Sequence, residues 1–256
     1  MTLVEIPPFI SDDERRKKDR ETLIKTRLMH VYRFAQPFLG AKHLDIGTYD
    51  GFALSALAEA AQHVSSFDIN RDILEVARKR PDVQRLLYEK RLSLYEMDAR
   101  QINFPANSFD SATLIEVLGG AFEGSREDIF QMFTEAGRVL NQGAPLIFTI
   151  KSQSNEQILK QYFDWNVPKG YPQYRLPMEE LLTESGFGSV DWYGHVFMKL
   201  TEQGNPVLPL RITTVGKTQQ VELDEQYFIP QPADTFEGLE QTQFPLYWIG
   251  VTRTQS

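Results

Sequence analysis

The chain has 256 residues, with 27 Lys and Arg against 35 Asp and Glu, for a formal net charge of −8. A surface this acidic is ill suited to cradling phosphate backbones and argues against nucleic acid as a partner. Cysteine is absent, which excludes disulfides, thiolate metal sites and a cysteine nucleophile.

Hydrophobic residues make up 41% and charged residues 24%, the composition of an ordinary soluble globule. No apolar run approaches the roughly 18 residues of a membrane span, and the start lacks a basic and apolar leader. The expectation is a cytoplasmic protein without membrane association. His30, His43, His63 and His195 are scattered with no H-x-x-x-H pair, so no metal site is expected.

Residues 1–40 read as an arm followed by a capping helix. Pro7-Pro8 extends the arm, and Ser11-Asp12-Asp13-Glu14 has the form of a capping box. Ile24, Leu28, Val31, Ala35 and Phe38 then share one helical face, which Pro37 and Gly40 end. The basic run at 15–18 is interleaved with acids and reads as a solvated turn.

From residue 42 short strands and helices alternate. Strands are predicted at 42–46, 63–69, 92–97, 110–117 and 145–150. Helices are predicted at 52–61, from Arg71 to a stop at Pro81, and at 125–140 with a Ser125/Asp128 cap. Repeated β-α units of this length imply an α/β fold with a parallel, doubly wound sheet. The second half is less regular. It offers a helical patch at 156–163, an aromatic and Pro-rich stretch over 152–175, a short helix at 178–185 and a strand at 190–200. Residues 211–215 and 220–223 flank Gly216-Lys217 as a β-hairpin within an insert at 201–243, and 244–251 supplies the last strand, expected to be antiparallel. The core is thus assigned to 41–200 and 244–256.

The chemistry concentrates in His43-Leu44-Asp45-Ile46-Gly47-Thr48-Tyr49-Asp50-Gly51-Phe52, a strand, a glycine turn and a helix start in succession. Glycine serves where backbone turns sharply or a ligand approaches closely. Asp68 ends the second strand about 20 residues on, where a carboxylate can accept from both hydroxyls of a ribose. Capping of the following helix is the plainer role for Asp68.

These residues resemble the class I S-adenosylmethionine-dependent methyltransferases, in their small-molecule, methyltransferase-11-like branch. Residues 44–51 are similar to the first motif, Phe67-Asp68-Ile69-Asn70 to the acidic ribose motif, and Met97-Asp98-Ala99 with Asn107-Ser108-Phe109-Asp110 to the third. Leu114-Ile-Glu-Val-Leu118 and Arg138-Val-Leu-Asn-Gln-Gly143 complete the order. The resemblance implies a Rossmann-like sheet and S-adenosylmethionine as cofactor, with methyl transfer by in-line displacement to a small-molecule acceptor. It further implies that Gly47 and Gly51 close on the methionine part of the cofactor and that Asp45 sits near its ammonium. Asp68 would bind the ribose, Ile69 pack on the adenine, Asp98 and Ala99 meet the adenine edge, and Glu116 line the methionine side.

Two departures stand out. Tyr49 replaces the middle glycine of the first motif, and Gly119-Gly120 follows Glu116-Val-Leu where members often carry a His. A general base therefore has only candidates: His195, His30, Tyr49 and Glu116. Trp165 and Tyr171, in the 152–175 stretch, are candidates for a substrate cover, with core packing as the alternative. Two other functions compete. One is a nicotinamide-dependent oxidoreductase, whose G-x-G-x-x-G is not supplied by Gly47-Thr-Tyr-Asp-Gly51. The other is a cofactor-binding protein that transfers no methyl group.

Overall fold

A computed structural model describes residues 25–118, 124–151, 175–195, 199–200, 206–207, 210–215, 218–223, 229–236 and 247–255. The first described element is helix α1, over 25–35. Leu28, Val31, Tyr32 and Ala35, spaced by three and four, form its buried face. A turn of 3-10 helix at Gln36–Phe38, with Pro37 inside it, ends the run. There follow β1 (Lys42–Ile46), α2 (Leu54–Ala60), β2 (His63–Asp68), α3 (Arg71–Arg78), α4 (Pro81–Tyr88) and β3 (Leu92–Glu96). Next come β4 (Ser111–Leu114), α5 (Arg126–Val139), β5 (Pro145–Lys151), α6 (Arg175–Glu184) and β6 (Asp191–His195). The remaining strands are β7 (Lys199–Leu200), β8 (Pro206–Val207), β9 (Leu210–Val215), β10 (Thr218–Leu223), β11 (Gln231–Pro232) and β12 (Tyr247–Arg253).

The main sheet has eight strands in the order β11-β6-β12-β5-β4-β1-β2-β3. Five of these strands, β3-β2-β1-β4-β5, are parallel. The strand order reverses between β1 and β4, the place where open α/β sheets bind ligands at their carboxyl edge. β12 runs antiparallel between β5 and β6, as expected for a last strand. The late hairpin also forms, with β9 and β10 paired antiparallel from Thr218↔Val215. The segment that follows it returns to the main sheet, because β11 adds to the outer edge of β6.

Each sheet face carries its own core. Leu44, Ile46, Phe67, Leu114 and Phe148 pack on one face against Phe133 of α5 and Leu181 of α6. On the other face α1, α2 and α4 cover Val64, Ile147 and Ile249. His43 and Asp45 alternate with Leu44 and Ile46 in β1 and are equally buried. The central strand is thus buried on both faces, but one of its faces is polar.

Several elements differ from the sequence expectation. Pro81 does not merely stop α3. It occupies the first turn of a second helix, α4, where its missing N–H costs nothing. The strand expected at 110–117 ends at Leu114. Glu116 takes φ +58 and its N–H bonds Thr149 Oγ1 at 2.8 Å, which turns the chain out of the sheet. The strand expected at 190–200 comprises β6 and the separate β7, which pairs with β8. The Ser125/Asp128 capping box of α5 is present with both reciprocal bonds.

Candidate active site at the strand-order switch

The loop after β1 is built by three left-handed residues, Gly47 at φ +92, Tyr49 at +49 and Gly51 at +74. The N–H groups of Gly47 and Thr48 both bond Phe67 O, at 2.9 and 3.0 Å, and fold the loop onto β2. The glycines answer to close approaches within the chain. A Cβ on Gly47 would lie 2.4 Å from Val117 Cγ2, and one on Gly51 would lie 2.9 Å from Ala77 Cβ. The tight spacing thus seats the loop against the end of β4 and against α3. Tyr49 adopts, at some cost, the conformation its position requires, and 53% of it is exposed.

Asp68, at the end of β2, is held by the backbone. Its Oδ2 accepts from Tyr49 N at 3.0 Å and its Oδ1 from Asn70 N at 2.9 Å. Each oxygen keeps acceptor capacity for a further partner. Capping of α3 falls instead to Asn70, whose side chain accepts from Asp72 N and Ile73 N. Beside Asp68, Ile69 is 65% exposed, an uncovered apolar side chain at the carboxyl edge. The next strand connects here, since Met97 N donates to Asp68 O at 3.1 Å. One residue on, Asp98 is gripped by the Arg100 fork at 2.7–3.1 Å, and Arg100 Nη1 reaches Asp128 of the α5 cap at 2.8 Å. Those hydrogen bonds hold the Asp98 carboxyl below the usual range. Ala99 packs against the core beside this network.

α1 closes the other side. Lys25 pairs with Asp50 at 2.8 Å, and Arg27, only 2% exposed, pairs with Glu116 at 3.0 Å. Burial pushes the phenol of Tyr32 well above its ordinary range, reinforced by the charges of Asp45, Glu116 and Asp50. Tyr32 is therefore a donor at neutral pH. Burial also pushes the Asp45 carboxyl up to about 6, opposed by hydrogen bonds from Ser66 and Thr113.

Asp45, Gly47, Tyr49, Gly51, Asp68, Ile69 and Glu116 are thus brought together at the carboxyl ends of β1, β2 and β4, with Asp98 and Ala99 beyond β3. His30 lies half-buried on α1. The backbone of His195 ends β6 at the same edge, opposite Tyr247 and in line with Lys151, with β12, β5 and β4 between it and β1. Trp165 and Tyr171, and Gly119-Gly120, fall outside the described residues. Lys25 and Arg27 were missed because charged residues on a surface helix read as solvated, and Tyr32 because it reads as part of the helix's packing face. Ser66 and Thr113 carried a weak signal as polar interruptions in apolar strands.

What this arrangement suits follows from charge. Asp45, Asp50, Asp68 and Glu116 converge on one edge with an exposed apolar side chain. Asp50 and Glu116 are already paired with Lys25 and Arg27, so the set offers acceptors to hydroxyl or amine donors and opposes a pyrophosphate. Among the described residues no group of three or more His, Asp or Glu could hold a metal ion.

Residues 44–148 match a family described as a methyltransferase domain. This segment is similar to the methyltransferase domain of the class I S-adenosylmethionine-dependent enzymes. A demethylmenaquinone methyltransferase of Clavibacter sepedonicus is 27% identical to the domain over 110 residues, 42% of this chain and 43% of that protein, so the match spans less than half of either. Two solved structures share the fold. An S-adenosylmethionine-dependent methyltransferase from Archaeoglobus fulgidus aligns with a TM-score of 0.59 at 16% identity, over 91% of this chain and 94% of that one. The magnesium protoporphyrin IX methyltransferase of Synechocystis PCC 6803, solved with bound S-adenosylhomocysteine, aligns with a TM-score of 0.56 at 14% identity, over 93% and 86%. The cofactor of the methyltransferase domain is S-adenosylmethionine.

Proposed function

We propose that the protein transfers a methyl group from S-adenosylmethionine to a small-molecule acceptor. The observation that carries the reading is Asp68, a backbone-anchored carboxylate with spare acceptor capacity, set between the Gly47–Gly51 loop and the exposed Ile69. Asp68 takes the ribose hydroxyls and Ile69 covers the adenine. Asp98, oriented by Arg100, accepts from the adenine amino group next to Ala99. The Gly47–Gly51 loop faces the methionine part, with the negative charges of Asp45 and Glu116 toward its ammonium.

When bound, the cofactor supplies a methyl group on a positively charged sulfur, a leaving group that needs no further activation. The chain's task is then alignment and exclusion of water. Tyr32 stays protonated and donates. Glu116 is engaged by Arg27 and serves to orient rather than to take a proton, which leaves Tyr49, His30 and His195 as candidates for a base. A small acceptor is favoured by the net charge of −8, which disfavours nucleic acid, and by the aromatic 152–175 stretch as a substrate cover. The relatives named for demethylmenaquinone and magnesium protoporphyrin IX act on small molecules of that kind.

Calorimetry with S-adenosylhomocysteine tests the placement. Asp68→Ala should weaken binding roughly ten- to hundredfold, equivalent to losing about 1.5–3 kcal/mol of charge-assisted hydrogen bonding. Unchanged affinity would remove Asp68 from the site. Mass spectrometry of extracts incubated with the protein and methyl-labelled cofactor tests transfer and identifies the acceptor. Binding without any labelled product would favour a cofactor-binding protein.

A further inference from the structure

The polar face of β1 does more than fill space. In register, Asp45 lies between Ser66 of β2 and Thr113 of β4, while His43 lies opposite Ser111. These side chains form one continuous hydrogen-bonded line. Gly40 N reaches Ser111 Oγ at 2.9 Å, Ser111 Oγ meets His43 Nδ1 at 2.9 Å, and His43 Nε2 meets Thr113 Oγ1 at 2.9 Å. Thr113 Oγ1 then reaches Asp45 Oδ1 at 2.9 Å, and Ser66 Oγ reaches Asp45 Oδ2 at 2.7 Å. Thr48 of the loop closes the far end, 2.6 Å from Ser66 Oγ. His43, Ser66, Ser111 and Thr113 are fully buried, and Asp45 is 1% exposed.

Proton counting fixes the direction of the line. An ionised Asp45 has no proton to give, so Thr113 and Ser66 must each spend their single proton on it. Thr113 Oγ1 can then only accept from His43, which places the ring proton on Nε2. The bare Nδ1 requires the Ser111 hydroxyl as donor, and Ser111 in turn accepts from Gly40 N. Ser66, its proton given to Asp45, accepts from Thr48. Every donor is used once and both lines end on Asp45.

We infer that His43 is a positioning residue: acting through Thr113, it holds Asp45 as an ionised carboxylate beneath the Gly47–Gly51 loop. Burial alone disfavours that charge, and the neighbouring Asp68 disfavours it further. Among the described residues, Tyr32 on α1 and, around it, Glu116 and Asp50 are the other acidic groups on this side. None of them is a cation, and Arg27 and Lys25 engage Glu116 and Asp50. The hydroxyl donors are therefore what keeps Asp45 charged, and His43, itself held neutral by burial, commits one of them. The role of that charge in cofactor binding rests on the function proposed above. The line of hydrogen bonds does not.

Nitrogen-15 and carboxyl carbon-13 NMR of the ligand-free protein test the inference. The His43 ring should be neutral between pH 8 and 5, with its proton on Nε2 at pH 8. A proton on Nδ1 at pH 8, or an ordinary titration, overturns it. Thr113→Val should raise the Asp45 midpoint by about one pH unit, His43→Phe should raise it by a smaller amount, and Thr113→Ser should leave it in place. Unmoved midpoints in both Thr113→Val and His43→Phe would also overturn it. S-adenosylhomocysteine affinity, measured from pH 5 to 8, should fall as Asp45 protonates and move with these midpoints. A merely structural His43 would instead lower affinity by the same factor at every pH. If S-adenosylhomocysteine does not bind at all, the proposed function fails while the NMR arms still decide the positioning role.

Discussion

Tyr49 shows how a single residue can be legible and still surprising. Its place in the first motif identifies a position that wants glycine, and the reason is the left-handed φ of +49. Holding a non-glycine residue there costs about 1–2 kcal/mol, and its ring, 53% exposed, recovers little by burial. Tyr49→Gly should therefore be neutral or stabilising by up to about 1 kcal/mol after the entropy of the unfolded chain is counted, read as the urea midpoint. If Tyr49→Gly instead unfolds more readily, the ring makes contacts that hold the loop. A loss of activity without loss of stability would mark the phenol as part of the chemistry. Gly47 carries the opposite lesson. The motif assigns it to a ligand, whereas the atom that would first meet its Cβ belongs to Val117, so Gly47→Val should disturb folding and binding together. The place of Asp68, at the end of β2 and beside the glycine turn, was legible from spacing because a strand end and a glycine turn constrain it. His43 was not, since a lone histidine in a strand gives no hint of the hydroxyls that neighbouring strands bring to it.

At the scale of elements, the alternation of short strands and helices was readable because several period switches coincide with a glycine, proline or cap. The capping box at Ser125 and Asp128 is the clearest case. Pro81 misled for a physical reason: the same lack of an N–H that ends one helix admits proline to the first turn of another. The position of α1 could not be read at all, because it depends on ion pairs formed with residues distant in sequence. Arg27 is buried against Glu116, which already sits in a left-handed conformation. Arg27→Ala would leave that carboxylate with a lost partner in a poorly solvated place. Breaking such pairs costs about 3–5 kcal/mol when both charges are buried, and the lower part of that range applies here because Glu116 is 22% exposed. Urea unfolding of Arg27→Ala and of the double variant Arg27→Ala with Glu116→Gln should show the second substitution restoring much of the loss. Equal stability of the single variant and the native protein would mean that α1 is held by its apolar face alone.

For the molecule as a whole, the buried pair of titratable groups shapes its response to acid. The Asp45 carboxyl is raised to about 6 in the fold, above its unfolded value of about 3.9, so its burial penalty is complete above pH 6 and is relieved as pH falls toward 4. His43 is lowered to about 3, below its unfolded value of about 6.5, so the unfolded chain takes up a proton that the folded chain refuses, and stability is lost as pH falls from 6.5 toward 3. Between pH 6 and 4 the two slopes, each about 1.4 kcal/mol per pH unit, have opposite signs and nearly cancel. Below pH 4 the histidine is no longer offset by Asp45, and it is joined by Asp98, Asp82 and Glu135 as they give up their arginine partners. The stability deficit of His43→Phe relative to the native chain should therefore narrow as pH is lowered from 6.5 to 4 in urea titrations. A deficit independent of pH would show that His43 titrates alike in both states.

The sheet order also sets a timetable. Strands β1 to β5, which carry the residues proposed to hold the cofactor, are complete by Lys151, yet β6 has no neighbour on its inner side until Tyr247–Arg253 arrives to lie between it and β5. While the chain is being made, the outer edge of β5 waits, unpaired and rich in apolar side chains, for the translation of nearly a hundred further residues. A nascent chain stalled in that interval would hold the parallel half of the sheet and an open, adhesive strand beside it, a natural object for a chaperone at the ribosome.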